Sequence, residues 1–218
     1  FLSEEQKDQF TKQDVDKAWS DYVSSLPEER RMLLSRFRVA DGALRVGGVG
    51  SVGTRCWIVL LEGSSEDDAL ILQQKEAGQS VLEAHLGKKV YASPSQRVVV
   101  GQRLMQASSD IFLGWPKSAL TGVQSYWRQL KDMKGSVEVA DLEESGLATY
   151  LGVCSVCLAR AHARTSDASG IAGYLGKNDS FDNAIVDFAV AYADQTERDY
   201  EALEKAVKSG RVAAERGI

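Results

Sequence analysis

Three glycines, Gly48, Gly50 and Gly53, stand at the spacing G-x-G-x-x-G within "GGVGSVGTRCWIVLLEG", directly before a β-branched and aromatic run. Glycines at that spacing let a backbone fold closely over phosphate oxygens, so that amide N–H groups reach them where a side chain would collide. A dinucleotide fingerprint needs a helix opening from the last glycine, because the pyrophosphate sits at that helix N-terminus. Thr54, Arg55, Cys56, Trp57, Ile58 and Val59 follow instead, and they favour a strand. The dinucleotide interpretation is therefore poor. A glycine loop between antiparallel strands is the kinase type, with Gly50-Ser51-Val52-Gly53 at its tip; the bland alternative is a glycine-rich hairpin with no ligand.

A kinase-type loop requires a lysine on the third strand to bridge phosphates and a carboxylate on a following helix to hold that lysine. In "LILQQKEA" the strand alternation puts Ile71, Gln73 and Lys75 on one face, so Lys75 can point under the loop. Glu83, in "SVLEAHL", is the first helical carboxylate able to pair with it. Gln102, in the next helix, is the competing partner. Taken singly, Lys75 and Glu83 also fit solvated surface residues. Gln73 occupies the place, two before the lysine, where kinases keep a small apolar residue above adenine, which questions a preference for adenine.

Other constellations weigh less. Cys154-x-x-Cys157 sits inside a helical stretch with too few companions for structural zinc, so two small helix-face cysteines are expected. His162 is read as structural, with a general base as the minority alternative. Asp187-Phe188-Ala189 resembles a metal-binding motif but falls mid-helix. Arg128, Lys131 and Lys134 either line a cleft that reaches a phosphate or form a solvated face. No metal site is expected from this chain's residues, and no catalytic residue is assigned.

These residues must be placed by a chain of 218 residues, 44% apolar, with a formal net charge of −5 spread along its length. That is enough for a hydrophobic core. There is no basic stripe to track nucleic acid and no apolar run of membrane-spanning length, so neither nucleic acid nor membrane is an expected partner. Three cysteines give no disulfide framework and suit a reducing, cytoplasmic setting. The chain opens at Phe1 rather than Met, which raises the expectation that it is a fragment.

Apolar spacing predicts a helix over 11–25 and a second from Pro27. "RVADGALRVGG" reads as extended with a turn at Asp41-Gly42. "TRCWIVLL" and "ALILQQKEA" read as strands, followed by helices in "SVLEAHL" and over 95–107, and by strands in "DIFLGW" and "SYWRQLKDM". The rest is helical: "LATYLGVCSVCLARAHA", a glycine-rich loop at 170–176, and a last helix from Asp179 or Ser180 to Gly210. The fold class is α+β, an antiparallel sheet with packed helices resembling a kinase N-lobe, then an all-α part. The predicted divisions are 1–37, 38–137 and 138–218.

The blocks "VGGVGSVGTRCWIVLLEG", "LQQKEA", "VVVGQRLMQASSDIFLGW", "RQLKDMKGS", "LARAHART" and "AVAYADQTERDYEAL" resemble the C-terminal half of an uncharacterised bacterial family, domain-of-unknown-function family 2252. The resemblance runs over nearly the whole chain. It implies membership of the protein-kinase-like superfamily in a circularly permuted form, with an H-G-D-x-H-x-x-N-F-type block and a D-F-D-type block upstream of the glycine loop. Neither block is present here. The resemblance thus implies a nucleotide cradle of Gly48, Gly50, Ser51, Gly53, Lys75 and Glu83 for ATP and magnesium, with catalytic groups supplied upstream and an unidentified acceptor. The alternative is a non-catalytic binding or regulatory module.

Overall fold

The computed structural model describes residues 12–45, 53–65, 68–87, 90–117, 122–131 and 135–214. Helices α1 (Lys12–Ser24) and α2 (Glu28–Leu34) lead into a four-stranded antiparallel sheet. Its strands β1 (Arg38–Leu44), β2 (Cys56–Glu62), β3 (Ala69–Glu76) and β4 (Ser125–Gln129) lie in chain order. Between β3 and β4 come a single turn, α3 (Glu83–Leu86), and α4 (Pro94–Met105). After the sheet follow α5 (Glu144–Thr165), α6 (Ala168–Leu175) and α7 (Ser180–Lys208). The α+β class and the helical C-terminal region are as the sequence indicates. By compactness the chain divides after Thr165, so α6 and α7 belong to a unit of their own.

The sheet has two unlike faces because side chains alternate along each strand. Val59 and Leu61 of β2, Leu72 of β3 and Trp127 of β4 are buried on one face, against Tyr22 from α1, Leu26 just after it and Leu34 from α2. Tyr22 stacks on Trp127 with ring centroids 4.8 Å apart and an interplanar angle of 15°, and Trp19 meets Trp127 edge-on at 5.9 Å. The Tyr22 hydroxyl donates to the Phe112 carbonyl at 2.7 Å. Burial, reinforced by Asp110 and opposed by Arg103, pushes this phenol far above its ordinary range, so it remains a donor.

Four expectations change. Asp41-Gly42 is no turn: β1 runs through it with a bulge, Ala40 being the extra residue between the Val39–Leu61 and Asp41–Leu60 pairs. "DIFLGW" is no strand, since only Gly114 bridges to Trp127. The Asp110 carboxylate turns that segment by accepting from the amides of Phe112 (2.8 Å) and Gln129 (2.7 Å). A Cβ at Gly114 would come within 2.7 Å of the Ser25 hydroxyl and 2.9 Å of the Tyr22 ring, so this residue has to be small. Residues 170–176 are not a glycine loop: Asp167 caps α6, which continues through Gly170 and Gly173 to Leu175, with Gly176 (φ 77°) at its end. The predicted helix in "SVLEAHL" is only the four residues of α3.

Within the second unit, Tyr174 of α6 meets the Phe181 ring of α7 edge-on at 5.9 Å, and Phe188 stacks on Tyr192 at 5.6 Å.

Tyr22→Phe is expected to destabilise the protein by about 1–2 kcal/mol, because the Phe112 carbonyl loses a buried donor while the ring stack survives. The check is a lower denaturant midpoint with an unchanged m-value.

Candidate functional site

Strands β1 and β2 form an antiparallel hairpin whose ladder still closes at its loop end, where Arg45 N–H donates to the Cys56 carbonyl at 2.7 Å. The glycine segment joins these two strands. Gly48, Gly50 and Ser51 lie outside the described residues; Gly53 is described and takes φ 80°, in the left-handed region that favours glycine. A strand, not a helix, follows Gly53. The geometry a dinucleotide fold requires at this motif is therefore missing.

Lys75 sits near the same end of the sheet. It pairs in register with Cys56, the first residue of β2, and with Tyr126 on β4. The β2–β3 ladder runs one step further, Glu76 N–H donating to the Arg55 carbonyl at 2.9 Å and Arg55 N–H to the Glu76 carboxylate at 3.1 Å. The Lys75 ammonium makes no hydrogen bond or ion pair with another described residue. The expected Lys75–Glu83 pair is not formed among the described residues. Glu83 faces Arg97 of α4 at 3.8 Å instead, and Arg97 also donates to the Gly78 carbonyl at 3.0 Å. A one-turn α3 gives Glu83 a short reach, and its neighbour is the helix that follows it.

Sequence reasoning missed the polar band that shares this face of the sheet. Gln73, in a central strand, is only 5% exposed. Its Nε2 donates to the Cys56 sulfur at 3.2 Å, and its Oε1 accepts from Arg128 Nε (3.0 Å) and Nη2 (2.9 Å). One amide thus ties β2 to β4 across β3. Tyr126 lies beside it; burial raises its phenol above the usual range, with Arg128 opposing and Cys56 adding to the rise. The available signal was the residue pattern itself, because a glutamine breaking an apolar strand has to find partners if buried.

Helix α4 stands beside β4. Ser93 caps it, accepting from Gln96 N–H at 3.2 Å, and Pro94 occupies its first turn. Ser95 and Val99 are buried on it, and the Ser95 hydroxyl donates to the Gln124 amide oxygen at 2.9 Å. Helical spacing carries the same side of α4 on to Gln102. A cleft of 220 Å³ opens there between α4 and the sheet, lined among others by Gln73, Gln102, Gln106, Asp110, Arg128 and Lys131. Arg128 and Lys131 thus line a cleft; Lys134 lies outside the described residues.

The remaining sequence candidates are scattered. Cys154 and Cys157 are thiols on α5, His162 is exposed on the same helix, and Asp187 and Phe188 are mid-α7. Among the described residues no group of three or more His, Cys, Asp or Glu is arranged to hold a metal. Nor is any helix there long and apolar enough to cross a membrane.

A family model described as "Uncharacterized protein conserved in bacteria (DUF2252)" matches residues 5–206, most of the chain. No curated protein and no solved structure matches it.

Gln73→Leu is expected to cost about 1–3 kcal/mol, since the Arg128 guanidinium would lose its acceptor among the described residues in a half-buried setting while the side-chain volume is kept. Urea unfolding measures it. The double variant Gln73→Leu/Arg128→Met should recover part of that loss, because both polar partners are then gone.

Proposed function

From the premise that this chain belongs to the bacterial family DUF2252, whose description names no activity, we propose that it is the nucleotide-binding portion of a kinase-like phosphotransferase. The protein-kinase-like likeness, in circularly permuted form, belongs to this proposal, as does a cytoplasmic setting where ATP and magnesium are at hand. One observation carries it. Lys75, without a partner among the described residues, lies at the loop end of β3 in register with the strand that leaves the glycine segment. An ammonium so placed is available to an incoming anion. The glycine segment that joins β1 to β2 in the chain would supply backbone N–H groups for phosphates.

On this proposal Gly48, Gly50, Ser51 and Gly53 cradle the phosphates and Lys75 bridges them, with magnesium accompanying the nucleotide. Glu83, engaged by Arg97, takes no part. No acceptor-orienting aspartate is assigned within this chain, and the acceptor is an unspecified hydroxyl or amine.

A second reading, a binding or regulatory module without turnover, is favoured by two features. The carboxylate that an active kinase sets against its lysine is spent on Arg97. The position that would lie over adenine carries the hydrogen-bonded amide of Gln73 rather than a small apolar side chain.

Thermal unfolding with magnesium-ATP at a hundred times its dissociation constant is expected to show about 2.7 kcal/mol of added stability. Lys75→Ala and Gly50→Val should each remove it. Equal stabilisation of both variants and the parent protein would overturn the cradle; stabilisation without phosphoryl transfer to any hydroxyl acceptor would favour the binding module.

A further inference from the structure

We propose that the cleft between α4 and β4 is a binding site for the oxyanion group, carboxylate or phosphate, of a small molecule, with Arg128 as its principal anchor. None of its lining residues belongs to the glycine segment, and the proposal does not depend on nucleotide binding there.

The first ground is the state of the Arg128 guanidinium. Of its five N–H donors, Nε–H and one on Nη2 are used on the neutral amide oxygen of Gln73, leaving three. No carboxylate lies within ion-pair distance of it among the described residues. Gln73 is itself fixed, buried and bound on its other side to Cys56. The guanidinium is therefore held in one orientation by a neutral partner, and its charge is left uncompensated. A preorganised fork is what recognises carboxylate or phosphate in a bidentate manner.

The second ground is the rest of the lining. Lys131 adds a second cation, and the amides of Gln102 and Gln106 add neutral donors; none of the three side chains has a partner among the described residues. The one acid in the lining, Asp110, already accepts two backbone N–H bonds, from Phe112 and Gln129, which hold it in a structural role. Two cations thus outnumber one engaged carboxylate. At 220 Å³ the cleft exceeds several times the ~30 Å³ that one water occupies in the liquid, so a ligand of some ten heavy atoms fits. Its walls are mostly polar, which suits a small polar acid or phosphate ester better than an apolar ring.

The test is calorimetric titration of the folded chain, at constant ionic strength, with inorganic phosphate and separately with succinate. Saturable binding of one or both at millimolar concentration or below is expected, and the stronger of the two identifies phosphate or carboxylate as the natural group. Gln102→Glu, nearly isosteric and not part of the core, should weaken that binding at least tenfold by placing an anion in the cleft. Lys131→Met, at an exposed position, should weaken it several-fold, and Lys75→Ala, which removes a neighbouring cation but no lining residue, should weaken it less than Gln102→Glu does. The proposal is overturned if neither anion binds saturably, or if binding survives Gln102→Glu. Loss with Lys75→Ala and not with Gln102→Glu would also overturn it, by placing the anion at the glycine segment.

Discussion

A glutamine side chain buried in a central strand sets the terms for much of this structure. An amide taken out of water without partners loses several kcal/mol, so Gln73 has to be matched on both of its ends. Arg128 from β4 satisfies the oxygen, and the Cys56 sulfur from β2 takes the N–H. These partners are available only in one register: Gln73 stands opposite Arg128, and Cys56 is two residues along β2 from Ile58, its direct partner. A slip by one residue would turn Gln73 into the apolar face and Leu72 out of it. The polar band and the apolar core therefore specify the same strand pairing from opposite sides of the sheet.

The apolar side has its own clamp. Tyr22 offers a flat ring to Trp127 and a hydroxyl to the Phe112 carbonyl, so one side chain joins α1 to β4 and to the segment before it. Gly114 lets that segment approach α1 closely, and Ser25 accepts the Trp115 N–H at 3.0 Å while donating to the Tyr22 carbonyl. Helix α1 thus holds the side of the sheet away from Lys75. The opposite face carries the polar band of Gln73, Lys75, Tyr126 and Arg128, and α4 leaves a cleft beside it.

The sequence made the strands legible because β2 and β3 alternate or run apolar over short lengths bounded by turn residues, and α1, α4, α5 and α7 because of their spacing and caps. It misplaced elements wherever a single side chain decided the local path. Asp110 has to be seen accepting two amides before "DIFLGW" stops looking like a strand, and α6 runs through Gly170 and Gly173 because Asp167 caps a helix that the glycines obscure. Of the candidate site, the side of the sheet carrying Lys75 could be deduced from period-two alternation alone. The Gln73–Arg128 contact joins residues 55 positions apart, and Glu83–Arg97 depends on how short α3 is. No local pattern encodes either.

The arrangement leaves Lys75 and Arg128 on one face, diagonal neighbours across β3 and β4 because Lys75 pairs with Tyr126 and Gln73 with Arg128. Diagonal positions are about 7–8 Å apart along the backbone, so both side chains rise from the same stretch of the sheet. Neither cation forms an ion pair with a described residue, although the chain as a whole is acidic. A surface evolved only to fold has a simple remedy, since a glutamate at Gln74 would point to the wrong face but one at Gln102 or Tyr126 would lie on this side. Instead the polar neighbours here are amides and a phenol, which solvate an incoming anion without cancelling the field that attracts it. The anion site proposed for the cleft draws on that choice of residues.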